Sequence, residues 1–247
     1  MSRWVQGTVV LNRHWTDQLY SLQVEADIRT FVAGQFGRLA LDIDGQRVGR
    51  PYSFVNAPHE TPLEFYSIIV PEGPLSSRLY KLEPGDHVWV STRGAGFFTL
   101  AQVPHGDYLW MLCTGTALGP FLSILKTAEP WRRFEKIVLV HAVRTVSELT
   151  YQDTIKTLIS LHADQFTMIP FVSRETTDFA IHGRIPAAVE DGRLEEQGKL
   201  LLNAEQCQVM ICGNPAMVKD TTEVLKSRGF KSNKRKYPGN ITTENYW

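Results

Sequence analysis

Cysteine is scarce in this chain of 247 residues: Cys113, Cys207 and Cys212 are its three, and no two form a C-x-x-C pair. Nor does Met1-Ser2-Arg3-Trp4 carry the apolar core and small-residue cleavage site of an export signal. Together these absences point to reduced thiols in a cytoplasm, not to a disulfide framework. No cluster of His, Cys and carboxylates has metal-ligand spacing, and none of the seven histidines stands in an H-E-x-x-H setting, so no metal centre is expected. A serine hydrolase would show a G-x-S-x-G elbow, which is missing too. Neither sign of charge is in excess. The 26 Lys and Arg balance 26 Asp and Glu, leaving no global field to draw in nucleic acid or a membrane surface. The most apolar stretch, residues 109–125, is broken by Gly115, Gly119 and Pro120 and does not read as a membrane span. Internal repeats and low-complexity linkers are not found.

What is present fits a soluble globular enzyme: 43% hydrophobic and 21% charged residues, in a length that suits two domains of ordinary size. Two different rhythms divide the chain. In the first hundred residues short strands alternate with turn signals. Tyr20, Leu22, Val24 and Ala26 alternate with Leu19, Ser21, Gln23 and Glu25, predicting one mostly apolar face and one more polar. Further strands are predicted over 35–42, 47–56, 63–70 and 87–92, punctuated by Asp44-Gly45, Ala57-Pro58 and Glu83-Pro84-Gly85-Asp86. One helix fits, over 76–82. Such a series predicts an antiparallel β-barrel or sandwich over residues 1–100, and the family resemblance given below implies the barrel.

From about residue 101 the rhythm becomes strand, glycine turn, helix. Residues 108–113 form a continuous apolar run, as a parallel strand buried on both faces should. A helix over 118–128 follows, and further strands are predicted at 136–141, 165–173 and 208–212. Thr145-Val146-Ser147-Glu148 has the T-x-x-E form of a capping box opening a helix to Leu161. Asn214 reads as an N-cap with Pro215 at the first helical position. This alternation predicts an α/β domain with a doubly wound, mostly parallel sheet over 101–247, joined to the first near 99–104.

Three places carry chemistry. Arg50-Pro51-Tyr52-Ser53 combines a guanidinium that can fork onto a pyrophosphate, a ring that can stack on an isoalloxazine, and a hydroxyl that can bond a ring nitrogen. Alone, the tetrapeptide is more often just an exposed strand edge. The turn at Gly115–Pro120 follows a buried strand and opens a helix, so its free N–H groups suit a pyrophosphate, although it departs from G-x-G-x-x-G. Arg144, Ser173, Arg174 and Arg184 stand at or just beyond strand ends, where arginine accommodates a 2′-phosphate. That predicts NADP in place of NAD.

The order R-x-Y-S, G-x-L-S at Gly73-Pro74-Leu75-Ser76, T-G-T-x-x-G-P at Thr114–Pro120, C-G-N-P at Cys212–Pro215 and a closing Tyr246-Trp247 resembles the ferredoxin–NADP reductases, in particular the bacterial ferredoxin/flavodoxin reductases. The resemblance covers essentially the whole chain. It implies an FAD domain followed by an NADP domain, with hydride passing between NADPH and FAD and single electrons between FAD and ferredoxin or flavodoxin. Arg50, Pro51, Tyr52, Ser53, Tyr66, Pro74, Leu75 and Ser76 would hold FAD, Tyr66 near its adenosine side and Ser53 near the reacting end of the ring. Thr116 would lie against the flavin. Arg144, Ser173, Arg174 and Arg184 would take the 2′-phosphate. Cys212 and Glu244 would stand near the nicotinamide. The tail would return to the flavin: Tyr246 and Trp247 close the chain, the terminal aromatic covering the adenine, and Thr243 approaches the open face of the ring where relatives often have Ala.

The resemblance further implies an acidic partner, ferredoxin or flavodoxin, and a monomer is expected. The only marked charge run, Lys226, Arg228, Lys231, Lys234, Arg235 and Lys236, would steer that partner or else be a solvated helix end. Two other functions remain open at this point. One is a flavin reductase using free flavin as substrate, and the other is a non-catalytic nucleotide-binding subunit of a larger complex. Residues 73–77 and Trp247 favour a retained FAD, since they would engage an adenylate half that free riboflavin lacks.

Overall fold

The structure, a computed structural model, describes residues 3–246 and divides into two compact units. The division is not a single cut. Unit 1 comprises Met1–Thr99 with Gly119–Thr127, and unit 2 comprises Leu100–Leu118 with Ala128–Trp247. The stretch 119–127, expected in the second domain, therefore belongs to the first.

Unit 1 holds β1 (Trp4–His14), β2 (Leu19–Glu25), β3 (Phe36–Ile43), β4 (Gln46–Ser53), β5 (Leu63–Ile68), α1 (Ser76–Leu79) and β6 (His87–Ser91). The strands form one sheet in the order β4-β3-β6-β1-β2-β5, every pairing antiparallel. Its two edges curl toward each other: Phe54, just past β4, bridges Phe65 of β5, and Val55 N donates to Glu64 O at 2.9 Å. The enclosed core includes Leu22, Val24, Leu39, Phe54, Phe65, Val88 and Val90. Asp44 and Gly45, both at positive φ (50° and 77°), make the two-residue turn that pairs Ile43 with Gln46 and fixes the register of β3 on β4.

Two details of this unit differ from the sequence expectation. Leu19 and Ser21, placed on a more polar face of β2, are buried, because Trp15 lies against that side and its Nε1 donates to Ser21 Oγ at 2.7 Å. The helix expected over 76–82 is α-helical only to Leu79. Asn12 explains the early end: its Nδ2 donates to the carbonyls of Leu79, Tyr80 and Leu82 at 2.8–3.0 Å, giving the last turn partners outside the helix. Gly119–Thr127 is tied in by Ser123 Oγ donating to Asn56 O at 2.8 Å and by a Lys126–Glu60 ion pair at 3.3 Å.

Unit 2 contributes β7 (Tyr108–Thr114), then the start of α2 (Leu118–Leu125), α3 (Glu129–Arg133), β8 (Lys136–Val143), α4 (Gln152–Leu161), β9 (Phe166–Val172) and β10 (Ile181–His182). After these come α5 (Ile185–Glu190), α6 (Arg193–Gly198), β11 (Cys207–Gly213), α7 (Pro215–Ser227) and β12 (Ile241–Asn245). All six strands run parallel in the order β10-β9-β8-β7-β11-β12. The chain moves outward from β7 to β10, then returns to the other side of β7 with β11. That reversal makes a crevice beyond the carboxyl ends of β7 and β11, where doubly wound sheets take their ligands. Both β7 and β11 are almost wholly buried, so no polar face breaks their apolar runs.

The capping box is not made. Residues 146–148 form a short 3-10 turn, and α4 begins at Gln152 after Tyr151 in a left-handed conformation (φ 57°). Glu148 is drawn away from its expected role by Arg144. It accepts from Arg144 N at 2.9 Å and pairs with the Arg144 guanidinium at 3.0 Å. By contrast Asn214 caps α7 as expected, its Oδ1 accepting from Ala216 N at 2.9 Å and Met217 N at 3.4 Å. Residues 241–245, for which no strand was predicted, pair with β11 as a regular parallel strand.

Candidate nucleotide sites on the two units

On unit 1 the edge strand β4 presents the tetrapeptide. Arg50 and Tyr52 share one face of the strand, Arg50 exposed and Tyr52 half-buried, while Ser53 is turned in and buried. The Arg50 guanidinium donates to its neighbour's carbonyl, Gly49 O, at 3.0 Å, and no ion pair engages it among the described residues. Its remaining donors are exposed, as an arginine that binds a phosphate group requires. Burial pushes the Tyr52 hydroxyl up to about 12 against the opposing pull of Arg50, so the ring stays neutral.

Tyr20 of β2, which the sequence did not single out, links that strand to α1. Its buried hydroxyl donates to Ser76 O at 3.1 Å, and its own pKa is raised, mainly by burial and also by Tyr52. Ser76 itself is buried, and its Oγ accepts from Val70 N at 2.9 Å; it shapes the loop ahead of α1 instead of capping the helix. Leu75 and Tyr66 are buried, and Pro74 is exposed beside them in sequence. A tyrosine in a strand's apolar alternation, two residues from a leucine, was the available signal for Tyr20.

On unit 2 the turn after β7 is open. Gly115 sits at φ +56°, and apart from its chain neighbours no atom lies within 4 Å of where a side chain would begin. Backbone of this kind admits close approach by a phosphate group. Thr116, in the same turn, is buried. His141 holds the turn from behind: fully buried on β8, its Nε2 lies 3.0 Å from Gly115 O. Burial lowers its pKa to about 4, so the ring is neutral, and since a carbonyl only accepts, Nε2 carries the proton. A histidine inside an apolar strand run was a signal the sequence offered and the motif search passed over.

The arginines converge at neighbouring strand ends. Arg174 N donates to Arg144 O at 2.8 Å, and Ser173 N and Oγ both donate to Val143 O, at 3.1 and 3.2 Å. His182 of β10 pairs with Val172 of β9, which sets Arg184 and Arg174 two residues past the same rung. Arg144 is not a free cation, since Glu148 already pairs with it. Among the described residues no ion pair engages Arg174 or Arg184.

A row of four residues crosses the middle of this sheet: His141, Cys113, Cys212 and Glu244 are register partners on β8, β7, β11 and β12. Cys212 is fully buried, and burial with the Glu244 and Cys113 neighbours holds its thiol well above the ordinary value. Burial also raises Glu244 from 4.5 to about 7, and its Oε2 is buried with no hydrogen-bond partner. Thr243, on the opposite face of β12, is exposed, and Tyr246 is half-buried with its N donating to Gly213 O at 2.9 Å. Trp247 lies outside the described residues.

The basic run is broken up by its own contacts. Lys226 pairs with Glu223 at 2.9 Å, and Arg228 is built into the unit, donating to Val189 O, Leu202 O and Glu195. Only Lys231 and the turn Lys234-Arg235-Lys236 remain as outward charge. No helix among the described residues is long and apolar enough to cross a membrane.

An antiparallel half-barrel with an Arg/Tyr edge strand, and a parallel sheet with an open glycine turn, define a dinucleotide-dependent oxidoreductase class. Residues 111–223 match the family model described as the oxidoreductase NAD-binding domain. The chain is 48% identical to the flavodoxin/ferredoxin–NADP reductase of Escherichia coli, over 100% of both chains, and 37% identical to the ferredoxin–NADP reductase of Pseudomonas aeruginosa, over 95% and 94%. Among solved structures, a ferredoxin NADP+ reductase from Neisseria gonorrhoeae with bound FAD and NADP superposes with a TM-score of 0.94 at 30% identity, covering 100% of both chains. The chain belongs to the flavodoxin/ferredoxin–NADP reductase family.

Proposed function

We propose that this protein is an FAD-dependent reductase that exchanges hydride with NADPH and single electrons with a ferredoxin or flavodoxin, working as a cytoplasmic monomer. The observation that carries the reading is the pairing of two anion-ready surfaces in one chain. One is Arg50 beside Tyr52 on the edge strand, and the other is the convergence of Arg174 and Arg184 at the carboxyl ends of a parallel sheet. Full-length identity to reductases of this name supports it. FAD, when bound, supplies the ability to accept two electrons together and release them singly.

The chain's own residues bind, orient and shield. In this proposal Arg50 takes a flavin-side phosphate, Tyr52 stacks, and Ser53 offers a hydroxyl at the reacting end of the ring. The loop through Pro74, Leu75 and Ser76, with Tyr66, takes the rest of FAD. The Gly115–Thr116 turn, braced by His141, receives the nicotinamide nucleotide, and Ser173, Arg174 and Arg184 select its 2′-phosphate. Arg144 joins them while shared with Glu148. Cys212, as a neutral thiol, and Glu244, whose charge changes near neutral pH, line the nicotinamide end.

Retention separates this function from a flavin reductase. The wild-type protein should leave a gel-filtration column with FAD bound. Arg50→Ala should bind FAD about tenfold or more weakly, the loss of one hydrogen bond to a charged group of ~1.5–3 kcal/mol. An Arg50→Ala protein with unchanged FAD affinity removes the pyrophosphate role, and a wild type that sheds its flavin on the column favours the flavin reductase.

A further inference from the structure

A third cationic surface, separate from the two above, lies on unit 1. Arg3, Arg29, Arg38 and Arg93 line one cleft of about 830 Å³, with Asp27 as the one acid in its wall. Among the described residues no ion pair engages Arg3, Arg38 or Arg93. The cleft is not part of the flavin face. Arg38 is the register partner of Pro51, which alternates with Arg50 and Tyr52 along β4, so Arg38 stands on the opposite face of the sheet from those two.

Three adjacent strands build this cleft, since β6 lies between β3 and β1 and Trp4 of β1 is the register partner of Ser91 of β6. Ser91 and Thr92 gather the backbone of all four arginines. Arg38 N donates to Ser91 Oγ at 2.9 Å, and Ser91 Oγ donates to Arg93 O at 3.0 Å. Arg29 N donates to Thr92 O at 3.0 Å, and Thr92 N to Arg3 O at 3.1 Å. The Arg38 side chain is itself held, its Nη2 donating to Gly49 O at 3.0 Å, while its Nε is buried with no partner. The fold thus brings four like charges together and supplies a single carboxylate against them, an arrangement that a bound anion stabilises. Trp4 and Phe36 stand in the same wall. Apolar and aromatic lining around a few convergent polar groups, in a cavity of this volume, is the make-up of a small-molecule site.

We propose that this cleft binds a small polyphosphate anion, its phosphate oxygens forked by Arg3, Arg38 and Arg93. Planar guanidinium groups match phosphate oxygens two at a time, and linked phosphates bring several negative charges in one compact ligand. The phosphate chain is chemistry shared by an inorganic polyphosphate and a nucleoside triphosphate, whose base would meet Trp4 or Phe36. The site is additional to those for FAD and NADP and does not depend on the reductase reading.

The test is isothermal titration calorimetry on the holoenzyme with FAD bound and NADP+ saturating, so that the other two phosphate-binding surfaces are filled. Inorganic tripolyphosphate and ATP, each in metal-free buffer, are the probes. The wild type should bind tripolyphosphate at one saturable site, more weakly as salt rises. Arg3→Gln/Arg93→Gln should bind it about tenfold or more weakly, with its flavin spectrum unchanged, and Arg93→Gln alone should show a smaller loss. Lys234→Gln/Arg235→Gln/Lys236→Gln, which alters the basic turn of the other unit, should bind as wild type does. ATP separates the two sources. Tighter binding than tripolyphosphate, lost with it in the double variant, assigns a nucleotide, and equal binding assigns the phosphate chain alone. No saturable binding of either probe by the wild type, undiminished affinity in the double variant, or a loss confined to the triple variant overturns the proposal.

Discussion

Replacing Arg174 by alanine should lower NADPH use by roughly ten- to a hundredfold while leaving NADH use almost unchanged. The expectation follows from position and from what the side chain lacks. Arg174 stands one residue past Ser173 at the end of β9, its N bonded to Arg144 O, and no carboxylate pairs with it among the described residues. Arg144 beside it is different, since Glu148 already holds its guanidinium at 3.0 Å. On the proposed reading, a 2′-phosphate at this corner would therefore take its strongest new bonds from Arg174 and Arg184. A hydrogen bond to a charged group contributes ~1.5–3 kcal/mol, which converts to that fold-change in kcat/KM. NADH carries no such phosphate and loses nothing. Arg144→Ala should show a smaller selective loss, because Glu148 already engages part of the Arg144 guanidinium and leaves it less to offer a phosphate. Steady-state kinetics with both nucleotides check this, and equal losses for NADPH and NADH would make Arg174 a structural residue.

The second large effect is on stability, and it comes from the buried row on the parallel sheet. Glu244 has a folded pKa of about 7 against an ordinary 4.5, because burial disfavours its charge. The folded state then binds the extra proton between those values, so stability falls as pH rises from about 4.5 through 7. His141 runs the other way. Its folded pKa of about 4 lies below the ordinary 6.5, so stability is lost as pH falls through that window. At ~1.4 kcal/mol for each pH unit, either group alone moves stability by about 3 kcal/mol. Between pH 5 and 6.5 the two slopes nearly cancel, and the wild type should be almost flat there.

Glu244→Gln keeps the shape and removes the titration. The variant should be more stable than wild type at pH 8, by up to about 3 kcal/mol, and should expose the acid-side loss due to His141. Thermal midpoints from pH 4 to 9 at a fixed excess of FAD measure it. A variant whose pH dependence overlays the wild type, or one less stable at pH 8, contradicts the burial of that carboxylate.

Much of this architecture could be read from local chemistry. Asp44-Gly45 specifies its turn because only such residues take positive φ at two successive positions cheaply. Asn214-Pro215 specifies the start of α7 because cap and first position each have a physical reason for those residue types. Arg50, Tyr52 and Ser53 were legible because strand alternation sorts them onto faces without any tertiary information.

What stayed hidden depended on partners distant in sequence. The capping box at Thr145 failed because Arg144 claims Glu148, and the helix at Ser76 stopped because Asn12, far upstream, gathers its carbonyls. Arg228 looked like part of a basic docking run until Glu195 and two carbonyls engaged it. The 119–127 stretch follows β7 in sequence but belongs with the first unit through Asn56 and Glu60, which no composition shift announces. His141 and Tyr20 act through backbone carbonyls, so no motif names them. A buried polar side chain in an apolar strand is the signal that finds such residues, provided one asks which carbonyl it serves.

The measurement closest to the central claim is an anaerobic titration of the purified protein, followed by visible absorption. The protein should carry the spectrum of bound FAD, and one equivalent of NADPH should bleach it where the same amount of NADH does so far more slowly. Oxidised ferredoxin or flavodoxin should then restore the oxidised spectrum. A colourless protein, a flavin bleached equally well by either nucleotide, or a reduced flavin that neither carrier can reoxidise would contradict the account.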